Sequence, residues 1–283
     1  MNTTKIGWIG LGNMGNPMSQ QLIDAAYPVT VYNRSKEKAE TLRSLGAAVA
    51  SSPKELIELN EVVFMMVSDD QAIDDLFNGT DGLLAANVRG KVIVNMSTVS
   101  PGISKAFSQL CKEQGNYYLD APVSGSVKQA ETGQLVIMVG GDESAFQQVK
   151  PIFEKLGKLN KRIGDSGSGN TAKLAINTLL GFYAQGLSEA LVFAQQHHIP
   201  NEAMMELINN SALSSVFIKI KGDAIINENY NAAFALKHIA KDLRLAKDEG
   251  LDSPLANVLF QTFQQAEPEY GNEDIIAIMK QIR

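Results

Sequence analysis

The chain has 283 residues, 45% of them hydrophobic, which is ample for one large or two medium domains with their own cores. Its formal net charge is -6 and no dense Lys/Arg patch with interleaved aromatics occurs, so no nucleic-acid-binding surface is expected. Cys111 is the only cysteine, which excludes an internal disulfide, suits a reducing, cytoplasmic setting and favours a structural thiol over a nucleophile.

The opening MNTTKIGWIG lacks a basic segment leading into a long apolar stretch, and apolar runs such as Val62 to Val67 are far too short to span a bilayer. Neither a leader nor a membrane anchor is expected. Three histidines, two of them adjacent at His197 and His198, give no metal-ligand spacing, so metal catalysis is not expected either.

In chain order, short β-type runs at Lys5 to Ile9, Val29 to Tyr32, Val62 to Val67 and Lys91 to Asn95 alternate with helix-like segments. This is the pattern of βαβ units and a mostly parallel sheet. Runs at Tyr117 to Leu119, Leu135 to Val139 and Lys158 to Ile163 extend the sheet as far as the glycine-rich stretch Gly164 to Gly169. Beyond it the spacing predicts helices: one long apolar helix over Asn170 to about Gln196, then Asn201 to Asn210, Phe234 to Asp248, Pro254 to Ala266 and the C-terminal tail. The long helix is too rich in Asn, Gln and Gly for a membrane span, so its apolar surface must meet protein, either the first domain or a second subunit.

The first run is followed at once by Gly10-Leu11-Gly12-Asn13-Met14-Gly15 and a helix, the context in which a glycine fingerprint binds a dinucleotide. Gly10 permits the tight turn, Gly12 lets the backbone approach the pyrophosphate, and Gly15 lets helix and strand pack closely. Amide groups at the helix start face the phosphates. The predicted fold is therefore α/β: an N-terminal Rossmann dinucleotide-binding domain over residues 1–164, then an all-α C-terminal domain over residues 165–283, linked by the long helix.

An NAD site usually ends its second strand in Asp or Glu, whose carboxylate accepts hydrogen bonds from the ribose hydroxyls. Here Asn33-Arg34-Ser35 supplies neutral and cationic donors, and Arg34 can stack on adenine or fork onto a 2′-phosphate. NADP(H) is expected rather than NAD(H). Two later strand ends carry small polar groups, Val67-Ser68 and Ser97-Thr98; Thr98 is expected to contact ligand, whereas Ser100 before Pro101 reads as a helix cap.

Asp120-Ala121-Pro122-Val123-Ser124-Gly125-Ser126 follows another strand, and its Ser-Gly-Ser turn offers hydroxyls and backbone N–H groups to a substrate carboxylate, though such clusters are also ordinary loop chemistry. Lys173 is the only charged residue between Asp165 and Glu189. Desolvation lowers a lysine's pKa toward working pH, so a lysine so placed can give a proton to a carbonyl oxygen. Asn177, at i+4, shares its face and could hold the ammonium or the substrate oxygen. Phe234, Lys237, His238 and Lys241 recur at helical spacing as an aromatic and basic stripe, able to meet an anionic substrate or simply to form a solvated, salt-bridged face.

With Ile9-Gly10-Leu11-Gly12-Asn13-Met14-Gly15 and Pro17-Met18, Asp120 to Gly125, Gly169-Asn170-Thr171-Ala172-Lys173 with Asn177, and Lys241-Asp242-Leu243, the chain resembles the β-hydroxyacid dehydrogenase family over nearly its whole length. That family includes 3-hydroxyisobutyrate dehydrogenase and the glyoxylate/succinic semialdehyde reductases. The resemblance implies that Lys173 is the general acid or base and that Ser124 and Asn177 help hold the substrate. It also implies that Thr98, Phe234 and Lys241 lie near the nicotinamide, with Asp242 as substrate-pocket support.

Many of the family's dehydrogenases carry a second glycine after Ser124-Gly125, where this chain has Ser126, and it also reads Phe234-Ala235-Leu236-Lys237-His238, with Ala235 where the family often has Pro. Ser126 and the Phe-Ala-Leu-Lys-His run look like the glyoxylate/succinic semialdehyde reductases, as does Asn33-Arg34-Ser35. The expected activity is NADPH-dependent reduction of a small anionic aldehyde acid to the hydroxy acid by a homodimer or homotetramer. Alternatives are a 3-hydroxyisobutyrate dehydrogenase using NAD(P) and a non-catalytic NADP-binding module. Imine reductases share the fold, but many replace the lysine, and a phosphogluconate dehydrogenase needs a longer chain.

Overall fold

A computed structural model describes residues 3–283; Met1 and Asn2, part of the opening stretch considered for targeting, lie outside them. The chain divides into two compact units, the first running to Lys173 and the second from Leu174 to Arg283.

The first unit contains β1 (Ile6–Ile9), α1 (Gly15–Asp24), β2 (Val29–Tyr32), α2 (Glu40–Ser44), β3 (Ala48–Val49), α3 (Pro53–Leu59), β4 (Val62–Met65) and α4 (Asp70–Asn78). It continues through β5 (Val92–Asn95), α5 (Pro101–Glu113), β6 (Tyr117–Asp120), β7 (Val123–Ser124), α6 (Val127–Glu131), β8 (Leu135–Gly141), α7 (Glu143–Leu156), β9 (Gly157–Gly164) and the start of α8 (Ser168–Gln196). The sheet order is β3-β2-β1-β4-β5-β6-β8-β7, with β9 also paired to β8. The pairs from β3 through β6 are parallel, β8 is antiparallel to both β6 and β7, and β9 is parallel to β8. This is a Rossmann fold.

Its central strands are buried along their whole length, as parallel strands covered on both faces must be, which is why they read as unbroken apolar runs. One core packs Trp8 on Phe64 with ring centroids 5.6 Å apart, and Phe153 meets Phe64 edge-on. A separate core gathers Phe77, Phe107 and Tyr118 around Cys111. Burial pushes the Cys111 thiol up to about 12, so it is a structural thiol, as its isolation in the sequence implies.

Helix starts follow local chemistry. Ser52 and Ser100 each cap a helix whose first residue is proline, and Asp69 caps α4. Ser100 is thus a cap, as expected. The predicted run to Val67 ends earlier, at Met65, because the Val67 N–H leaves the ladder to donate to Ser97 Oγ at 2.9 Å. β3 and β7, two residues each, are absent from the sequence reading, which treated Val123-Ser124 as part of a turn.

The second unit holds the rest of α8, then α9 (Asn201–Asn209), α10 (Val216–Ile226), α11 (Leu236–Asp248), α12 (Pro254–Tyr270) and α13 (Ile278–Ile282), around a core that includes Leu191, Leu236, Ile239, Leu259 and Phe263. Its described residues form no strand, only an isolated bridge between Ala235 and Asp274. α10 is absent from the predicted elements. α11 starts at Leu236 instead of Phe234, because the Phe234 backbone is engaged with Asp274 and Ile275. No described helix is long and apolar enough to cross a membrane.

Candidate active site

The strand order changes direction at β1 and β4, and ligands of open α/β sheets sit at the carboxyl ends of strands beside such a switch point. The glycine turn lies there. Gly10 has φ +91°, and a Cβ on it would stand 2.2 Å from the Met66 carbonyl oxygen. A Cβ on Gly15 would stand 2.0 Å from the Gly10 oxygen, so strand and helix meet here only through glycine. Gly12 has nothing within 4 Å of its missing side chain, and no side chain caps the start of α1 at Met14. Leu11 is buried, whereas Gly12 and Asn13 are exposed. An open backbone beside an uncapped helix start fits a pyrophosphate.

At the end of β2, Asn33 does more than face outward. Its Oδ1 accepts the Leu11 N–H at 2.9 Å and its Nδ2 donates to the Ser35 carbonyl at 2.9 Å, tying the glycine turn to the Arg34-Ser35 loop. Both ends of its amide are used, so Asn33 positions that loop while Arg34, exposed beside it, is the group able to reach a phosphate. Val67 and Ser68 follow β4, and Thr98 follows β5, half-buried next to buried Ser97. These stand with the glycine turn at the carboxyl ends of parallel strands.

Farther along, Ser124 is half-buried on β7 and Gly125 is exposed with φ +142°; a Cβ there would meet Leu135 at 2.8 Å. Ser126 sits differently from its neighbours. It is the N-cap of α6, with its backbone N–H and hydroxyl both donating to Gln129 Oε1, so its hydroxyl serves a capping box. Ser124 and the Gly125 backbone are the parts of this turn open to a carboxylate.

Lys173 lies in the second turn of α8 and is 8% exposed. The helix start that carries it is held by Asp120 at the end of β6, whose Oδ1 and Oδ2 accept the N–H groups of Gly167 at 2.7 Å and Asn170 at 2.9 Å. Burial pushes the Asp120 carboxyl up to about 6, against these backbone donors, which act to lower it. Its ordinary value is 3.8, so between about pH 4 and pH 6 the folded state binds more protons than the unfolded state. The contribution to stability is therefore present at low pH and lost as pH rises through about 6. Thermal melting of Asp120→Asn should lack this part of the wild-type pH dependence; an identical dependence in both proteins contradicts the assignment.

Within the second unit, Asn177, one turn after Lys173 on α8, donates from Nδ2 to Asp242 Oδ2 at 2.6 Å. Lys241 Nζ forms an ion pair with Asp242 Oδ1 at 3.2 Å. Asp242 is buried and thus serves two neighbours, orienting the Asn177 amide and the Lys241 ammonium. Phe234, off the helix, stacks on His238 with centroids 5.9 Å apart. The imidazole is held below its usual range, first by desolvation and then by Lys241. Lys237 turns away from this group to donate to Asn272 Oδ1, so the expected four-residue stripe reduces to Phe234, His238 and Lys241.

Sequence reasoning missed the residue that fixes Phe234. Asp274, 2% exposed, pairs with buried Lys221 at 2.6 Å, and its Oδ2 accepts the N–H groups of Ala233 and Phe234. Aspartate just before an apolar run was the available signal, but it reads only as a cap, which Asp274 also is.

Comparison with known proteins identifies the family. A family model described as the NAD binding domain of 6-phosphogluconate dehydrogenase matches residues 5–167. One described as NAD-binding of NADP-dependent 3-hydroxyisobutyrate dehydrogenase matches residues 167–282. The chain is 33% identical to glyoxylate/succinic semialdehyde reductase 2, chloroplastic, of Arabidopsis thaliana, over 100% of this chain and 80% of that protein. It is 37% identical to 2-hydroxy-3-oxopropionate reductase of Escherichia coli (strain K12), over 86% of this chain and 82% of that protein. A solved structure of Mycobacterium tuberculosis 3-hydroxyisobutyrate dehydrogenase with L-serine superimposes with TM-score 0.91 at 27% identity, covering all of both chains. With a Rossmann unit, a glycine turn shaped for pyrophosphate and these relatives, the chain belongs to the β-hydroxyacid dehydrogenase family of NAD(P)-dependent oxidoreductases.

Proposed function

We propose that this enzyme reduces a small aldehyde acid, such as glyoxylate or succinic semialdehyde, to the corresponding hydroxy acid, with NADPH as coenzyme. The observation that carries the reading is Lys173, a lysine only 8% exposed on a helix start anchored to the strand ends. The glycine turn Gly10 to Gly15 would hold the pyrophosphate, Arg34 and Ser35 the 2′-phosphate, and Val67, Ser68 and Thr98 would flank the nicotinamide half. When bound, the coenzyme supplies a hydride to the aldehyde carbon.

Lys173 gives its proton to the aldehyde oxygen as negative charge develops there. Ser124 and the Gly125 N–H take the substrate carboxylate, Asn177 holds the reacting oxygen, and Asp242 keeps the Asn177 amide turned the right way. Phe234 and Lys241 close round the substrate and nicotinamide. In this reading residues 1–164 serve the coenzyme, and residues 165–283 serve substrate and subunit pairing. Leu179, Tyr183 and Phe193 on α8 are exposed apolar side chains, which support a homodimer or homotetramer. The single buried thiol suits a cytoplasmic setting.

A second reading, oxidation of a branched 3-hydroxy acid with NAD(P), is favoured by the close superposition on the mycobacterial dehydrogenase. Profiling glyoxylate, succinic semialdehyde, methylmalonate semialdehyde and tartronate semialdehyde with NADPH and with NADH separates the two. Fastest turnover of an unbranched aldehyde acid with NADPH is the expected result. Preference for methylmalonate semialdehyde with NADH favours the second reading. Coenzyme binding with no turnover of any substrate would reduce the protein to a binding module.

A further inference from the structure

The helix start that carries Lys173 is wired to the strand ends through buried polar groups. Asn170 is fully buried, and its backbone N–H, side-chain oxygen and side-chain nitrogen are all engaged. Its N–H donates to Asp120, its Oδ1 accepts the Val99 N–H at 3.0 Å, and its Nδ2 donates to Ser104 Oγ at 3.1 Å. Ser104 Oγ in turn donates to the Ser100 carbonyl, and nearby the Tyr118 hydroxyl accepts the Asn95 amide at 2.9 Å. Asn95 Oδ1 accepts the Ser97 N–H, and Ser97 Oγ accepts the Val67 N–H. All these side chains are buried. The first turn of α8 is thus joined directly to the backbone after β5 through Asn170 and Val99, and a second buried set, Tyr118, Asn95 and Ser97, ties that strand end to the backbone after β4.

Asparagine is a poor choice for the first turn of a helix unless its side chain finds work there, because it competes for backbone groups. Here it reaches across 71 residues of sequence to the backbone beside Thr98. Lys173 stands three residues after Asn170, on the same helical face. Fixing the Asn170 amide to Val99 therefore fixes the rotation of α8 about its axis, and with it the direction in which Lys173 leaves the helix. Glycine makes the approach possible: a Cβ on Gly169 would stand 2.5 Å from the Asp120 carbonyl oxygen, and one on Gly140 would stand 2.5 Å from Asp120 Oδ1.

We infer that Asn170 and Asp120 are positioning residues, which set the amine of Lys173 in register with the coenzyme-facing backbone at Val67 and Val99 through the buried network. This rests on the proposed role of Lys173. A misplacement of about 1 Å in a reacting group can cost about a hundredfold in rate, so a network of this kind acts on turnover, not on coenzyme affinity.

The test compares Asn170→Ala and Asp120→Asn with Val149→Ala, a core truncation on α7 that removes none of the network's hydrogen bonds, and with Lys173→Ala. Melting curves establish that each protein is folded at the assay temperature, NADPH affinity is measured by fluorescence, and amide hydrogen exchange is followed over residues 168–173. Asn170→Ala should lower kcat for glyoxylate at least about tenfold, keep NADPH affinity within about twofold, and speed exchange selectively in residues 168–173. Val149→Ala should lose melting temperature without losing kcat. Should Asn170→Ala fail to fold, Asp120→Asn, which keeps the volume and one acceptor, carries the same expectation. A folded variant with kcat within about twofold of wild type, or a kcat loss matched by Val149→Ala, overturns the inference. Wild-type turnover in Lys173→Ala would instead overturn the role of Lys173 on which it rests.

Discussion

Lys173→Ala should lower kcat for glyoxylate by about a hundredfold or more while leaving NADPH affinity near its wild-type value. In the proposed mechanism the amine acts only as charge builds on the aldehyde oxygen, so kcat and kcat/KM should fall together. Coenzyme affinity should be spared because, in the proposed site, the pyrophosphate and 2′-phosphate contacts come from Gly10 to Gly15 and the Arg34 loop. Alanine suits a helix interior, so the variant should fold. Stopped-flow turnover, fluorescence titration and melting on one preparation separate these effects. A variant as fast as wild type removes Lys173 from the chemistry.

The second large effect concerns the coenzyme. A charge-assisted hydrogen bond contributes about 1.5–3 kcal/mol, so Arg34→Ala should weaken NADPH binding about ten- to a hundredfold and leave NADH binding little changed. Asn33→Asp tests the same site differently. An aspartate there would still accept the Leu11 N–H but could not donate to the Ser35 carbonyl, so the loop carrying Arg34 would lose its tether. Its carboxylate would also repel a 2′-phosphate while accepting hydrogen bonds from a free ribose. Preference should shift toward NADH, read as the ratio of kcat/KM for the two coenzymes. An unchanged ratio in both variants would contradict an NADP site at Asn33-Arg34-Ser35.

Much of this fold is legible in the sequence because its signals are local. Four-residue apolar runs and the glycine turn each declare themselves within a short window, and capped helix starts such as Ser100-Pro101 do the same. β3 is not legible: Ala48-Val49 is only two exposed residues at a sheet edge. α10 is hidden for another reason. Its apolar residues lie on several faces, and Gly222 interrupts the pattern, packed against the flexible Met205 side chain. Phe234 was placed on a helix by its spacing, yet the distant Asp274 holds it just outside.

The site divides along the same line. Lys173 stands out as the only charge between Asp165 and Glu189, and Asn177 follows from helical spacing. The partners that orient them, Asp242 for Asn177 and the Asp120–Asn170 pair for the start of α8, are separated from their targets by 47 to 71 residues. No periodicity encodes such pairings. Asn33 shows the same limit on a smaller scale: its residue type raises the expectation of NADP, but its clamp on Leu11 and Ser35 becomes visible only in three dimensions.

A crystal of the protein with NADP+ and glycolate tests the central claim most directly. The account predicts Lys173 Nζ within about 3 Å of the glycolate hydroxyl, with the acid's carboxylate on Ser124 and the Gly125 N–H. An acid bound by other residues, with Lys173 directed away from its hydroxyl, would contradict it.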